Sequence, residues 1–179
     1  QTPSNDISCE SFDENGNDCY EKGQFEEAVA NYEEALQLKR RALLGEYNAL
    51  KLKDVSEAQR ARILASMATS INNLTYLRQV NGQASADETL ESYETALQIK
   101  RDILGPQHLS VGKTLNNIGS VHYIQRNYHE AASNYEEARD ILILHLGRDH
   151  LDVCTVTSNI GDVHFCMGQW TRAVAEYRA

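Results

Sequence analysis

Leu115, Ile118, Val121 and His122 are spaced for one face of a helix, and the polar pair Arg126–Asn127 then interrupts the pattern. From Tyr128 the spacing resumes, with Ala131, Tyr135, Ala138, Ile141 and Leu142 falling at i, i+3/i+4 and i+7. The pattern predicts two helices of about 17 residues joined by a short turn. Gly105 and Gly147 stand where such a pair would be capped, with Ser110 and Asp152 near the next helix start.

The same pair is written several times. "LGPQHLSVGKTLNNIG" (residues 104–119) and "LGRDHLDVCTVTSNIG" (146–161) lie 42 residues apart and agree at eight of sixteen positions. "YETALQIKRDILG" from Tyr93, "YEEARDILILHLG" from Tyr135 and "YRA" from Tyr177 keep the same step, and "YEEALQLKRRALLG" from Tyr32 is an earlier copy. Asn73, Asn117 and Asn159 recur too, the first interval being 44 because "VNGQASA" (80–86) carries two extra residues. A period of this size signals a solenoid or an array of stacked units. Residues 44–56, "LGEYNALKLKDVS", fall outside the period. Leu43, Tyr47 and Leu50 continue a helical stripe, so 45–56 reads as a helix extension, with an insertion as the alternative.

HEAT and armadillo units share the period, and the small residues separate the candidates. Gly119 is followed by Ala131, Tyr135 and Ala138; Gly161 by Ala173 and Tyr177; Gly16 by Ala28, Tyr32 and Ala35. Small side chains at that spacing let two helices approach closely while the aromatic fills the gap beside them. This pattern resembles the tetratricopeptide repeat (TPR). In the second unit Thr75 replaces the glycine and Thr89 the first alanine, so looser packing is expected there. The period of 42 and the phrase "LG–xx–H–x–xV…NNIG" are similar to the TPR units of kinesin light chains, over about residues 64–179 and more weakly in the first unit. The chain departs from that family at Leu109 and Leu151, where proline usually follows the histidine.

The resemblance implies an all-α fold, a right-handed α-solenoid of stacked antiparallel helix pairs. It implies a single array over 1–179 with units at 6–45, 57–105, 108–147 and 150–179, the last truncated. The final residue, Ala179, falls inside a helical pattern, which reads as a fragment.

Composition narrows the function. Only two of 179 residues are proline, 41% are hydrophobic, and no apolar run approaches the ~18 residues that span a bilayer. The net charge is −9, with ten acidic residues and only Lys22 in positions 1–34, then a balance of +3 across 35–60. A nucleic-acid surface needs a concentrated basic face, so no nucleic-acid or membrane partner is expected. The chain begins at Gln1 without a visible signal peptide, and its four cysteines form no CxxC pair. Buried free thiols in a cytoplasmic protein are expected, with a Cys9–Cys19 bridge as the alternative.

Chemistry is sparse. His122 and His164 are repeat equivalents, as are His108 and His150, so their spacing reads as structural rather than as a metal set. No GxSxG elbow frames a serine, and no GxGxxG or GxxxxGK[ST] loop is present. Adjacent glutamates such as Glu26–Glu27 and Glu136–Glu137 point different ways on a helix. No catalytic residue, metal site or cofactor is expected.

What remains is a groove. Stacked TPR units line a concave surface with their first helices. By resemblance its positions are Thr69, Asn72, Asn73, Tyr76 and Gln79 in the second unit. The third unit contributes Lys113, Asn116, Asn117, Ser120 and Tyr123, and the fourth Thr155, Ser158, Asn159, Asp162 and Phe165. An asparagine amide offers two donors and an acceptor, so a ladder of them suits the backbone of an extended peptide. Tyr76, Tyr123 and Phe165 would supply stacking beside it. The alternative is that the asparagines tie neighbouring units together. The groove reads as nearly neutral, with Asp162 opposing Lys113, which disfavours a terminal carboxylate as ligand. The expected function is a non-enzymatic scaffold or adaptor that binds a peptide segment or partner helix in the groove. The alternatives are a regulatory or substrate-docking module of a larger enzyme, and self-association (a homo-oligomer) through the open C-terminal unit.

Overall fold

A computed structural model describes residues 9–43 and 57–178, with side chains for 14–37 and 61–178. The helices in chain order are α1 (Cys9–Glu21), α2 (Phe25–Leu43), α3 (Glu57–Val80), α4 (Ala86–Leu104), α5 (Leu109–Ile124), α6 (Tyr128–Leu146), α7 (Leu151–Cys166) and α8 (Trp170–Tyr177). They form two compact units, Gln1–Ala84 with α1–α3 and Ser85–Ala179 with α4–α8. The boundary therefore falls inside the second repeat, the one with Thr75 and Thr89 in the small-residue positions. Both threonines are buried, and Thr89 turns its hydroxyl inward to the Ser85 carbonyl at 2.7 Å. The helix extension or insertion expected at 45–56 and the Cys9 thiol lie outside the described residues.

Helix ends follow from local chemistry. Ser85 caps α4 through a reciprocal box: its Oγ accepts from the Glu88 N–H at 3.2 Å, and the Glu88 carboxylate accepts from the Ser85 N–H at 2.9 Å. At α5 and α7 the caps are His108 and His150, whose Nδ1 atoms accept from the backbone N–H groups of Ser110 (3.2 Å) and Asp152 (3.1 Å). The repeated histidines thus cap the starts of α5 and α7, while Ser110 and Asp152 are the donors rather than the caps. Gly105 closes α4 at φ +88, a conformation that costs an L side chain dearly.

The helix–helix turns share one further left-handed position. Gly23, Gly82 and Gly168 occupy it with φ between +65 and +74, but in the third repeat the residue is Arg126, at φ +64. Arg126→Gly is expected to raise stability by up to about 1 kcal/mol, because relief of the left-handed backbone outweighs the extra freedom of glycine in the unfolded chain. A urea titration reads it as a higher midpoint at unchanged slope.

Among the described residues of unit 1, Ala28, Tyr32, Leu74 and Leu77 form a buried cluster. In unit 2 the core runs continuously from Tyr93 and Leu97 of α4 to Ile160 and Val163 of α7. The small-residue spacing forms a lock within three helix pairs. A Cβ placed on Gly16 would stand 2.9 Å from the ring of Tyr32; on Gly119, 2.7 Å from Tyr135; on Gly161, 2.5 Å from Tyr177. The glycines are therefore the gaps into which the following helix presses its tyrosine. Each tyrosine hydroxyl then bonds to the residue after the glycine: Tyr32 to Asn17 Oδ1 (2.5 Å), Tyr135 to Ser120 Oγ (3.0 Å), Tyr177 to Asp162 Oδ1 (2.6 Å).

The second helices of successive repeats, α4, α6 and α8, are also tied together, Arg101 to Glu137 (2.6 Å) and Arg139 to Glu176 (2.7 Å), contacts that fix alignment more than they stabilise. Cys154 and Cys166 are free but exposed, contrary to the buried thiols expected from the sequence, and Cys19 is free and half-buried. Cys154 stands in the register of Gly112, which lies under Ala138 and Ile141 of α6, and α8 ends before the corresponding positions.

Candidate peptide-binding face

The helices α5 and α7 are joined along their lengths by side chains. Lys113 Nζ lies 3.2 Å from Asp152, Asn159 Nδ2 donates to Asn116 Oδ1 at 3.2 Å, and the Tyr123 hydroxyl lies 3.5 Å from Cys166 Sγ. Lys113 thus pairs with Asp152, not with the Asp162 expected to oppose it. Asp162 is taken by the Tyr177 hydroxyl, and that bond pushes the Tyr177 phenol up to about 12. The Cys166 side chain does the same to Tyr123, also to about 12. Ser120 is engaged twice, accepting from Tyr135 and donating to the Asn116 carbonyl at 3.0 Å.

The asparagine set divides. Asn116 and Asn159 face each other between repeats, while Asn117 is half-buried with no hydrogen-bond partner for its side chain among the described residues. Thr155, Ser158 and Asp162 are exposed beside them, and Thr155 and Ser158 return their hydroxyls to carbonyls of their own helix. The face holds amide and hydroxyl groups and one ion-paired lysine, so its chemistry is hydrogen bonding rather than charge capture.

The aromatic residues have a second task that sequence reasoning missed. Tyr123 sits 5.9 Å from the ring of Tyr128, and Phe165 lies edge-on to Trp170 at 4.8 Å. In unit 1 the register-equivalent pair Tyr20–Phe25 sits at 5.8 Å. Each aromatic pair joins the end of the first helix of a helix pair (α1, α5 or α7) to the first residue of the second (α2, α6 or α8). The signal was in the sequence, because aromatics recur four and nine residues after Gly16, Gly119 and Gly161. Phe165 still keeps 55% of its surface exposed, so stapling the turn leaves it free to meet a ligand.

Unit 1 carries its own set on α3. Asn73 Nδ2 donates to the Tyr32 hydroxyl at 3.4 Å, and Asn72 is half-buried. Thr69 is exposed with its hydroxyl on the Ala65 carbonyl, Gln79 is half-buried, and Tyr76 is exposed, edge-on to Tyr20 at 6.2 Å. Among the described residues no group of three or more His, Cys, Asp or Glu side chains could hold a metal ion, and no helix is long and apolar enough to cross a membrane.

Antiparallel helix pairs locked by a small residue against an aromatic, and repeated every 42 residues, define an α-solenoid of short repeats. Residues 66–143 and 111–179 match the tetratricopeptide repeat family, and residues 16–42 match a TPR repeat. The chain belongs to the tetratricopeptide repeat family.

No curated protein matches the sequence. Among solved structures, BtubC (BKLC) from P. vanneervenii superposes with a TM-score of 0.74 at 21% identity, over 98% of this chain and 63% of that one. A Podosopora anserina chain with nearly identical TPR-like repeats of kinesin light chain type gives 0.67 at 20% identity, over 93% and 70%. The apo form of RapI gives 0.73 at 13% identity, over 95% and 53%. This chain spans less than two thirds of the first of these structures, and at such identities the likeness is one of fold. That likeness extends the kinesin light chain resemblance read from the sequence to the three-dimensional repeat.

Proposed function

We propose that this TPR chain is a non-catalytic scaffold that holds an extended peptide segment or a partner helix on the exposed face of α5 and α7. The observation that carries the reading is Asn117. Its half-buried amide makes no hydrogen bond among the described residues and remains open to solvent, and its two donors and one acceptor fit a peptide backbone. Its neighbours are fixed in place: the Asn116–Asn159 bond and the Lys113–Asp152 pair hold α5 and α7 in one register, so the amide is presented on a rigid platform. Tyr123 and the exposed Phe165 flank one end of the face and supply apolar area for a ligand side chain. On α3, Asn72, Asn73 and Tyr76 offer a second set of the same chemistry.

The test is affinity capture from a native extract, with the wild-type chain and Asn117→Ala run side by side. A partner held by wild type should be lost or strongly reduced with the variant, as removal of one backbone-gripping amide weakens binding about tenfold. The melting temperatures of the two proteins should agree closely, since the Asn117 side chain makes no hydrogen bond among the described residues. Equal retention by both proteins would remove the α5–α7 face from consideration.

A further inference from the structure

We propose that the first unit carries a separate docking groove for a basic, arginine- or lysine-bearing peptide segment of another protein. The groove, of about 580 Å³, opens between the turn joining α1 to α2 and the turn that follows α3. Gly23, Gln24, Phe25, Glu26 and Glu27 line one side, with Asn81 and Gln83 on the other. Its lining residues all belong to the first compact unit, whereas Asn117, α5 and α7 belong to the second.

Its charge is one-sided. The side chains of Glu26 and Glu27 have no ion-pair or hydrogen-bond partner among the described residues. The two described cations at this end of the unit are already engaged, Lys22 with Asp18 at 2.5 Å and Arg78 with Glu33 at 2.6 Å. The first turn of α2 favours carboxylates through the helix dipole, which explains why the pair is tolerated but supplies no counter-cation. Phe25 adds an aromatic wall. It is 39% exposed, and its ring leads to Tyr20 at 5.8 Å and from there to Tyr76 at 6.2 Å. Carboxylates beside an aromatic face recognise a guanidinium or an ammonium by charge pairing and by cation–π attraction together. The amides of Asn81 and Gln83 can bond the flanking peptide backbone from the opposite wall.

Lys39, Arg40 and Arg41 do not supply the occupant in place. Residues 39–41 lie on α2 itself, which starts at Phe25 on the groove, and are therefore about 20 Å away along the axis. The occupant assigned to the groove is a basic segment of another protein, matched to it by the uncompensated charge of Glu26 and Glu27.

Fluorescence anisotropy with a labelled peptide of alternating arginine and glycine tests this, with the glutamate–glycine peptide as its counterpart. Wild type should bind the arginine peptide and not the glutamate one. The isosteric double variant Glu26→Gln/Glu27→Gln should weaken binding at least about tenfold, and Phe25→Leu by about threefold, while circular dichroism shows each variant still folded and helical at the assay temperature. Glu91→Gln/Glu94→Gln removes the same charge from exposed positions on α4 and should change affinity by less than about twofold, while Asn117→Ala should leave it unaltered. Equal weakening by the two double variants would show a diffuse attraction to an acidic protein and overturn the proposal. So would an arginine peptide that wild type ignores. Self-association that fills the groove without peptide and is abolished by Glu26→Gln/Glu27→Gln would overturn it as well, since the occupant would then be a second copy.

Discussion

Gly119→Val is expected to destabilise the second unit by about 3 kcal/mol, while the same change at Gly161 costs no more than about 1 kcal/mol. At both positions a Cβ would meet a tyrosine ring, 2.7 Å from Tyr135 and 2.5 Å from Tyr177, so proximity alone predicts equal damage. The difference lies in whether the ring can leave. Tyr135 is 3% exposed, surrounded by the core of unit 2, and anchored by its bond to Ser120. Moving it would open a cavity and strand a hydroxyl. Tyr177 is 50% exposed at the end of α8 and can swing into solvent at the loss of one bond to Asp162. Helix propensity favours valine over glycine by only a few tenths of a kcal/mol, too little to offset an immobile overlap. Urea unfolding of both variants, followed by circular dichroism, reads the contrast. Equal midpoints would show that the ring at Gly119 is not held as the structure describes.

Lys100→Met should stabilise the chain by about 3 kcal/mol at pH 7, with the gain fading as the pH approaches 10. Lys100 is 2% exposed on α4, and its one hydrogen bond is from Nζ to Thr114 Oγ1 at 2.8 Å. In the next repeat the equivalent positions are Leu142 and Val156, both buried and apolar. Burial lowers the Lys100 amine to about 8 from its ordinary 10.5. With the folded value lowered, the unfolded chain binds more protons between about pH 8 and 10.5, so wild-type stability must rise with pH across that window. Below it the full cost of a buried ammonium is present. Methionine removes that cost, and Thr114 keeps its bond to the Ser110 carbonyl at 2.9 Å. Thermal melts of both proteins at pH 7 and pH 10 should differ widely at the first and converge at the second. A variant less stable than wild type at pH 7 would mean that the ammonium is better solvated than its burial implies.

Much of this fold was legible because the chain repeats itself. The spacing of Gly119, Ala131, Tyr135 and Ala138 specifies both the close approach and the ring that fills it, and the structure places each where that logic puts it. The capping histidines were located at the unit boundary, although their role as acceptors depends on a backbone geometry that the residue type alone does not reveal.

The face was harder to read. Its bonds do not join equivalent positions. Asn116 meets Asn159 at a separation of 43, Asn73 meets Tyr32 at 41, and Lys113 meets Asp152 at 39 rather than the 49 that separates it from Asp162. Neighbouring helices are offset along their axes, and a period of 42 carries no record of that offset. The sequence therefore presented a uniform asparagine ladder where the structure separates residues that bind the protein from one that does not. The paired aromatics escaped for a different reason: Tyr123–Tyr128 and Phe165–Trp170 cross a turn, where helical periodicity ceases to be informative.

The most direct measurement is the affinity of a captured partner segment for wild type, Asn117→Ala and Asn159→Ala, with a melting curve for each protein. If α5 and α7 form the binding platform, Asn117→Ala weakens binding about tenfold at an unchanged melting temperature, and Asn159→Ala lowers the melting temperature because it breaks the bond to Asn116. Wild-type affinity in the Asn117→Ala variant would contradict the account, because the one unpartnered amide on that face would then have no ligand to hold.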